Sequence, residues 1–219
     1  EFDIKDGVLI NARPKGEVAV VPEGVVEIGH KAFCETKIKE VVLPSTLKII
    51  SSFAFSECRY LKRVTLPEGL EELGFYALSD TAIEEINFPR SLRYIDDSVF
   101  RGTPFLKRIK DDRFVILGER FLYGYNGYDD TVEIPDGVEV ICSCAFDSRE
   151  KDKDYYYVTP KKIILPDSVK QIDGCAFRYQ YGLREINLRA DMDISATAFD
   201  KSGYEESFKA FLASKGEKK

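Results

Sequence analysis

A proline recurs inside a short apolar stretch of this sequence at nearly constant spacing. The six positions are Pro22, Pro44, Pro67, Pro89, Pro135 and Pro166. Successive spacings are 22, 23, 22, 46 and 31 residues, and 46 is twice 23. A period of this length indicates stacked repeats, because each repeat is one small unit that buries its apolar face against its neighbours. We therefore expect a solenoid.

A small residue and a large apolar residue follow each proline at a fixed distance. The large residue stands eleven positions after the proline, in the pairs Ala32-Phe33, Ala54-Phe55, Ala77-Leu78, Val99-Phe100, Ala145-Phe146 and Ala176-Phe177. A further pair, Ala198-Phe199, follows Arg189 with one residue fewer. We expect the large side chain to fill the interior of each coil at a tight corner, where a small neighbour avoids a clash.

The residues before each proline have the composition of a short β-strand. Val64-Thr65-Leu66 is representative, and residues 41–43, 86–88 and 163–165 are similar. Alternation and β-branched content favour a strand, and proline ends it. Because such a strand cannot bury its apolar face alone, successive coils should stack with parallel strands about 4.8 Å apart. The predicted fold class is an α/β repeat, a solenoid of short parallel strands with one sheet face.

The full repeat pattern, Leu-x-x-Ile-x-Leu-Pro-x-x-Leu-x-x-Ile-x-x-x-Ala-Phe, covers about residues 18–200. It resembles the BspA-like leucine-rich repeat family of bacterial surface and adhesion proteins. Cys58 matches the family's frequent Ala-Phe-x-x-Cys position, whereas threonine stands at or near that site in other coils, at Thr36, Thr81 and Thr103. The resemblance implies a right-handed leucine-rich-repeat solenoid, an extracellular or cell-surface location, and recognition of a host or matrix protein.

A larger duplication lies on top of the short repeat. Residues 114–123 parallel residues 2–11 at a shift of 112. Asp6-Gly7 is a two-residue hairpin signal, and Gly118-Glu119 occupies the matching turn. The first hairpin is expected to cap the N-terminal end, and the second either replaces a coil or protrudes between coils.

One solenoid domain over residues 1–219 is predicted, with a helical cap at its C-terminal end. Ser202-Gly-Tyr-Glu205 has capping-box spacing, and Tyr204, Phe208, Phe211 and Leu212 share one helical face. Because terminal repeats need capping, we expect a lid here and not a partner-binding helix. The predicted parts are the hairpin cap 1–17, a first repeat block 18–110, an inserted hairpin or atypical repeat 111–131, a second repeat block 132–200 and the capping helix 201–219.

Charge and histidine content exclude several functions. A net charge of −6 gives no overall attraction for nucleic acids or anionic membranes. No run approaches the roughly 18 apolar residues that span a bilayer. With His30 the only histidine, two-histidine metal sites are excluded, and no acid, base and nucleophile converge in the pattern. We expect no catalytic residues, metal or cofactor, and a chain opening at Glu1 is interpreted as a processed or excised piece.

Five cysteines form an odd set, Cys34, Cys58, Cys142, Cys144 and Cys175. Cys144 and Cys175 precede Ala-Phe in adjacent coils, so they either form a disulfide or, as the favoured alternative, are small thiols that suit tight columns. A set without an evident disulfide framework fits a reducing compartment as well as an oxidising one. A cytoplasmic location therefore stays open.

Two groups of residues are candidates for binding a partner. Tyr155, Tyr156 and Tyr157, with Tyr179 and Tyr181, either pack against the coils or form the rim of a recognition patch. Charges alternate along the predicted strand columns, which either balances charge or makes a docking surface of Arg63, Thr65, Glu85, Asn87, Arg108, Lys110 and Glu133. We expect a monomer that binds protein, with a glycan ligand or a purely structural spacer as the alternatives.

Overall fold

The structure is a computed structural model that describes residues 1–146 and 159–216. The chain divides into two compact units, Glu1–Asp111 and Asp112–Lys219, called the first unit and the second unit below. Each unit begins with an antiparallel hairpin and continues with stacked coils. The larger duplication seen in the sequence is therefore a duplication of this hairpin-and-coil arrangement.

The regular elements are short, as expected for coils of 22 to 23 residues. In chain order the first unit contains β1 (Phe2–Lys5), β2 (Val8–Ala12), β3 (Val18–Val20), β4 (Glu27–Ile28), β5 (Glu40–Val42), β6 (Ile49–Ile50), β7 (Arg63–Val64), β8 (Glu72–Leu73), β9 (Tyr94–Ile95) and α1 (Pro104–Ile109). The second unit contains β10 (Phe114–Leu117), β11 (Phe121–Tyr125), β12 (Thr131–Glu133), β13 (Val140–Ile141), β14 (Lys162–Ile164), β15 (Gln171–Ile172), β16 (Glu185–Ile186), β17 (Asp193–Ile194) and α2 (Glu205–Gly216).

Both predicted hairpins are confirmed. Strand β1 pairs antiparallel with β2, and β10 pairs antiparallel with β11. The turn residues Asp6 and Gly7 have φ of 51° and 79°, and Gly118 and Glu119 have φ of 52° and 63°. Two successive positive values match the twist of the flanking strands. The second hairpin takes the place of a coil, because β11 pairs parallel with β13 and leads the stack of the second unit.

Each unit contains two parallel ladders, so the structure adds a second ladder to the one sheet face that the sequence predicted. The predicted ladder before the prolines has the order β3-β5-β7 in the first unit and β12-β14-β16 in the second. The second ladder lies after the prolines and continues from the hairpins, in the orders β1-β2-β4-β6-β8-β9 and β10-β11-β13-β15-β17. This second ladder forms because the residues after each proline are also in register between neighbouring coils. For example, Ile28 pairs with Ile50.

Aromatic side chains fill the interior of the coils, as predicted from the small-large pairs. In the second unit the ring centroids of Phe146 and Phe177 lie 4.9 Å apart, and those of Phe177 and Phe199 lie 5.0 Å apart. In the first unit Phe33 stacks on Phe55 at 4.8 Å. All five rings are buried. Within each unit the stacked rings therefore build an apolar column, and Leu78 takes the place of the ring in its coil.

The tight corner before each buried pair uses left-handed backbone at residues other than glycine. The residue before the small member has positive φ in six coils, at Lys31, Phe53, Tyr76, Ser98, Cys144 and Cys175. A non-glycine residue in this region is uncommon and persists only where its surroundings hold it. Backbone bonds between coils do so here; for example, the Phe53 amide donates to the Phe75 carbonyl at 2.8 Å.

Helix α2 caps the second unit as predicted. Phe208 is buried against Phe199, with ring centroids 4.6 Å apart. The Glu205 carboxylate accepts from the Lys201 amide at 2.8 Å, and the Ser202 hydroxyl accepts from the Tyr204 amide at 3.2 Å. The helix therefore covers the ring that would otherwise be the bare end of the aromatic column.

Helix α1 was not expected from the sequence, which placed Arg108 and Lys110 in the strand columns. The helix begins after Thr103, whose buried hydroxyl accepts from the Leu106 amide at 3.1 Å, and Pro104 occupies its first turn. Threonine followed by proline is a favourable helix start. That local signal overrides the strand pattern, so the strand prediction for these two residues is wrong.

Candidate recognition surfaces

A shallow groove of about 800 Å³ lies on the β3-β5-β7 face of the first unit. Its charged lining comes from Glu40, Lys62, Arg63, Glu84 and Glu85, and its apolar floor includes Val42 and Val64. Glu40 and Val42 face outward from β5, because the alternate residues of a strand lie on one face, and Arg63 is exposed on β7. The groove contains three of the predicted docking residues, Arg63, Thr65 and Glu85.

Part of the predicted charge ladder is present at this groove. Arg63 Nε lies 2.6 Å from the Glu40 carboxylate across the β5-β7 pair, and Lys39 is 2.6 Å from Glu17 one column away. Glu84 and Glu85 are exposed and have no ion-pair partner within residues 1–146 and 159–216. The ladder therefore ends at Arg63 and leaves two carboxylates available on the next coil.

The reason is a break in the sheet between β7 and the following coil. At the matching place in the second unit, the Lys161 carbonyl accepts from the amides of Arg184 and Glu185, at 2.8 and 3.1 Å. In the described part of the first unit, Lys62 receives no such bond from Glu84 or Glu85. Residues 84–87 accordingly form no strand, and the groove lies over this break.

Asn87 bridges one end of the break and is therefore a structural residue. Its Oδ1 accepts from the Leu66 amide at 2.9 Å, and its Nδ2 donates to the Leu66 carbonyl at 2.8 Å. Asn187 makes the same pair of bonds to Leu165, at 2.7 and 2.9 Å. Each side-chain amide makes the two bonds that the backbone of a neighbouring strand residue would otherwise make. Asn87 belongs to the predicted docking surface, and both polar atoms of its side chain already bind Leu66.

Arg108 and Lys110 lie on or just after α1 and not on the sheet. The Arg108 guanidinium donates to the Glu84 carbonyl, so it holds the outer wall of the groove and does not extend the strand column. Lys110 Nζ lies 3.1 Å from the Asp111 carboxylate. The charge alternation expected along this column therefore does not continue from Glu85 to Arg108, because the helix brings Arg108 to the backbone of Glu84.

The second unit has a smaller groove, of about 540 Å³, on its β12-β14-β16 face. Lys162 and Glu185 pair across it at 2.9 Å, as the alternating charges predict, and Tyr204 closes one side. Glu133, another predicted docking residue, is exposed on β12. The Arg184 guanidinium, also in the lining, donates to the Tyr181 and Leu183 carbonyls. This groove therefore offers fewer free groups than the one in the first unit.

Two of the five tyrosine candidates, Tyr179 and Tyr181, lie among the described residues. Tyr155, Tyr156 and Tyr157 lie outside the described residues. Tyr179 and Tyr181 have ring centroids 6.2 Å apart, and Tyr181 is 57% exposed. The Tyr179 ring has the Arg178 guanidinium at 4.7 Å and Lys201 Nζ at 5.5 Å. Tyr179 therefore packs against cations of its own coil stack, and Tyr181 is the tyrosine that is open to a partner.

An aromatic corner in the first unit was missed by the sequence reasoning. Phe53 stacks on Tyr76 at 5.4 Å, with Lys31 over the Phe53 ring and Arg101 over the Tyr76 ring, each at 5.6 Å. Phe75 packs edge-on against Phe53 at 5.6 Å. The available signal was the recurrence of Lys, Phe and Tyr directly before alanine. Because both faces of the stack are already covered, this corner stabilises the coils more than it offers a ligand platform.

Two of the cysteines are buried thiols. Burial raises the pKa of Cys58 to about 11, and its Sγ donates to the Phe33 carbonyl at 2.9 Å. Burial also raises the pKa of Cys142 well above the ordinary thiol value. Cys175 is a half-buried free thiol, which favours the second of the two alternatives weighed for Cys144 and Cys175.

The rate of alkylation should distinguish the buried thiols from the half-buried one. A raised pKa lowers the thiolate fraction, so near pH 8 Cys58 should carry roughly a hundredfold less thiolate than an ordinary cysteine, and burial adds to the protection. We expect iodoacetamide to label Cys175 in the folded protein and to spare Cys58 and Cys142, as read by peptide mass spectrometry. Labelling in urea is the control. Equal labelling rates for Cys58 and Cys175 in the folded state would contradict the burial described above.

Neither a metal site nor a membrane span is found in the part of the chain that the structure describes. There, no three histidine, cysteine or carboxylate side chains come together as metal ligands. Within the same residues, the helices are too short or too polar to cross a bilayer.

Comparisons with known proteins give a consistent result. Residues 26–153 and 150–210 match the family model for the BspA type leucine rich repeat region, in six copies. A leucine-rich repeat protein of T. pallidum is 24% identical, with 99% of this chain and 92% of that chain covered and a TM-score of 0.45. A leucine-rich repeat protein of Bacteroides ovatus is 25% identical, with 86% and 42% covered and a TM-score of 0.42.

A third solved structure, the pneumococcal vaccine antigen PcpA, is 20% identical, with 80% of this chain and 51% of that chain covered and a TM-score of 0.40. The comparison with curated proteins gave no match. The chain thus spans about half or less of the length of the Bacteroides and pneumococcal proteins.

Proposed function

Because the chain belongs to the BspA-type leucine-rich repeat family, we propose that it is a non-enzymatic recognition module that binds another protein. The proposal locates binding at the groove of the first unit, with Arg63, Thr65, Glu84 and Glu85 as the contacting side chains. Display at a cell surface or secretion belongs to the same proposal. PcpA, a vaccine antigen, and a Faecalibacterium prausnitzii protein described as a leucine rich cell surface protein are structures to which the chain is similar.

The observation that carries this proposal is the break in the β3-β5-β7 ladder. It leaves Glu84 and Glu85 exposed beside Lys62, and none of these three has an ion-pair partner in the described ranges. Charges that are already paired contribute little to partner choice, whereas unpaired charges beside an apolar floor provide both steering and specificity. A partner surface that places a basic side chain against Glu84 and Glu85 fits this arrangement.

Enzymatic activity is not part of the proposal, for a reason of geometry. Catalysis by general acid and base needs two titratable groups aimed at one reacting atom in a pocket that excludes water. The charged groups of this groove lie on an open sheet face. Arg63 is bound to Glu40, and Glu84 and Glu85 are solvated.

Reversing the charge of both Glu84 and Glu85 should weaken binding strongly if the groove is the site. We expect wild-type protein to bind saturably to at least one member of an array of immobilised extracellular-matrix proteins and glycans, measured by surface plasmon resonance. The double variant Glu84→Lys, Glu85→Lys should bind at least about tenfold more weakly, since like charges at an interface are strongly unfavourable. Both residues are exposed, so folding should be retained.

The matched control makes the same change in net charge elsewhere. Glu68→Lys with Asp136→Lys alters two exposed carboxylates outside both grooves and should bind like wild type. A parallel Tyr155→Ala, Tyr156→Ala, Tyr157→Ala variant tests the tyrosine patch as the alternative site. Loss of binding only in the tyrosine variant would move the site away from the groove, and no binding by the wild-type chain would favour the spacer alternative.

A further inference from the structure

Strand β3 is an open edge of the first unit. It is the outermost strand of the β3-β5-β7 sheet, whereas the N-terminal hairpin extends the other sheet of the unit, next to β4. Along β3 the side chains of Val18 and Val20 are 52% and 61% exposed. An exposed apolar edge strand is a place where another strand can pair.

The backbone of β3 shows which groups are unused. The Glu17 carbonyl accepts from the Glu40 amide at 3.1 Å, and the Val21 amide donates to the Val42 carbonyl at 3.0 Å. Backbone groups alternate in direction along a paired strand, so residues 17, 19 and 21 face β5. The N–H and C=O groups of Val18 and Val20 therefore point away from β5, to the side where the described sheet has no strand.

The equivalent edge strand of the second unit can be compared with β3. Strand β12 is the counterpart of β3, at the shift of 113 residues that relates Pro22 to Pro135, and its outward side chains are Thr131 and Glu133. Polar and charged side chains are the usual protection of an edge against pairing. Valine stands at both positions in β3, so the first unit lacks the protection that its own duplicate has.

We propose that β3 pairs antiparallel with β3 of a second copy of this chain. If Val18 lies opposite Val20 of the other copy, both unused N–H groups and both unused C=O groups of each strand are satisfied, which gives four hydrogen bonds about a two-fold axis. Valine then faces valine on the same side of the sheet. The edge is thus complementary to itself in hydrogen bonding and in side-chain chemistry.

The charges near β3 favour pairing with β3 of a second copy over pairing with a charged peptide. Glu17, directly before β3, is bound to Lys39 at 2.6 Å, so its charge is already paired and does not select a basic partner. In the antiparallel register the two Glu17 residues lie four positions apart, about 13 Å at 3.3 Å per residue, so they do not oppose each other. An uncharged, apolar strand fits, and β3 is one. This inference departs from the monomer expected from the sequence.

The oligomeric state of the full chain tests the proposal. We expect the mass from sedimentation equilibrium to rise toward twice the monomer mass between low micromolar and millimolar concentration, since an interface this small is weak. The variant Val18→Thr, Val20→Glu copies the edge of β12 and should weaken dimerisation at least about tenfold. Amide exchange at Val18 and Val20 should slow with rising concentration in the wild-type protein and should not slow in this variant.

Val42→Thr is the control, because Val42 is 45% exposed on the same face but its carbonyl is already used by Val21. It should dimerise like wild type, and a circular dichroism melt should show all three proteins folded. A wild-type protein that stays monomeric throughout would overturn the proposal. Dimers that persist in the Val18→Thr, Val20→Glu variant, or larger aggregates formed equally by all three proteins, would overturn it as well.

Discussion

Replacing Phe177 with alanine is expected to lower the free energy of unfolding by about 3–5 kcal/mol. The ring is fully buried at the centre of the second-unit column, between Phe146 at 4.9 Å and Phe199 at 5.0 Å. Removing it opens a cavity that two flanking rings, held by backbone bonds between coils, can fill only partly. The Phe177 amide itself is bound to the Ala198 carbonyl at 2.8 Å, so the coil cannot easily collapse.

Urea unfolding followed by circular dichroism measures this loss. Tyr181→Ala is the matched control, because it removes an aromatic ring from the same coil at a position that is 57% exposed. The control should lose less than about 1 kcal/mol, as exposed substitutions usually do. A Phe177→Ala protein as stable as the control would mean that the aromatic column is not the core of the second unit.

Replacing Asn87 with leucine, whose side chain has the same number and branching of heavy atoms, should cost about 2–3 kcal/mol. The change removes both hydrogen bonds to Leu66 and leaves its amide and carbonyl without partners beside an apolar side chain. Leucine keeps the branched shape and leaves no cavity, so the loss reports the missing bonds. Asn187→Leu should have a comparable effect through Leu165.

Thr65→Leu is the control for this prediction, since Thr65 is exposed in the same column one coil earlier. Its stability should change by less than about 0.5 kcal/mol. Hydrogen exchange gives a local readout, because the Leu66 amide should exchange much faster in Asn87→Leu than in wild type. If exchange at Leu66 is unchanged, water or another group replaces the asparagine, and the bridging role assigned to Asn87 is incorrect.

Repetition made much of the architecture predictable. Coil length, the buried phenylalanine positions, both hairpins and the C-terminal helical cap followed from spacing and local pattern, because stacking places equivalent residues on top of one another. The pairs Arg63 with Glu40 and Lys162 with Glu185 followed for the same reason. Where every coil has the same pattern, the sequence of a single coil is enough to predict the structure of its neighbours.

The features that set the proposed sites apart were the departures from that rule. Thr103 and Pro104 start a helix where a strand was expected, and the Arg108 side chain from that helix binds the Glu84 carbonyl. The strand fails to form at residues 84–87, and the groove lies there. The periodicity of the sequence does not predict such a break, because the break depends on hydrogen bonds between coils and not on composition.

Asn87 shows the same difference between what the sequence predicts and what the tertiary structure decides. A polar residue at an outward strand position predicts exposure, and Asn87 is exposed; only the tertiary structure shows that its amide substitutes for a strand backbone. Likewise, the valines of β3 predict a strand, but whether their backbone groups have a neighbour depends on which sheet the hairpin extends. The sequence by itself determined the repeat, the core and the hairpins, because these depend on local pattern repeated in register. Only the tertiary structure decided where the ladders end, because an edge is defined by the absence of a neighbouring strand.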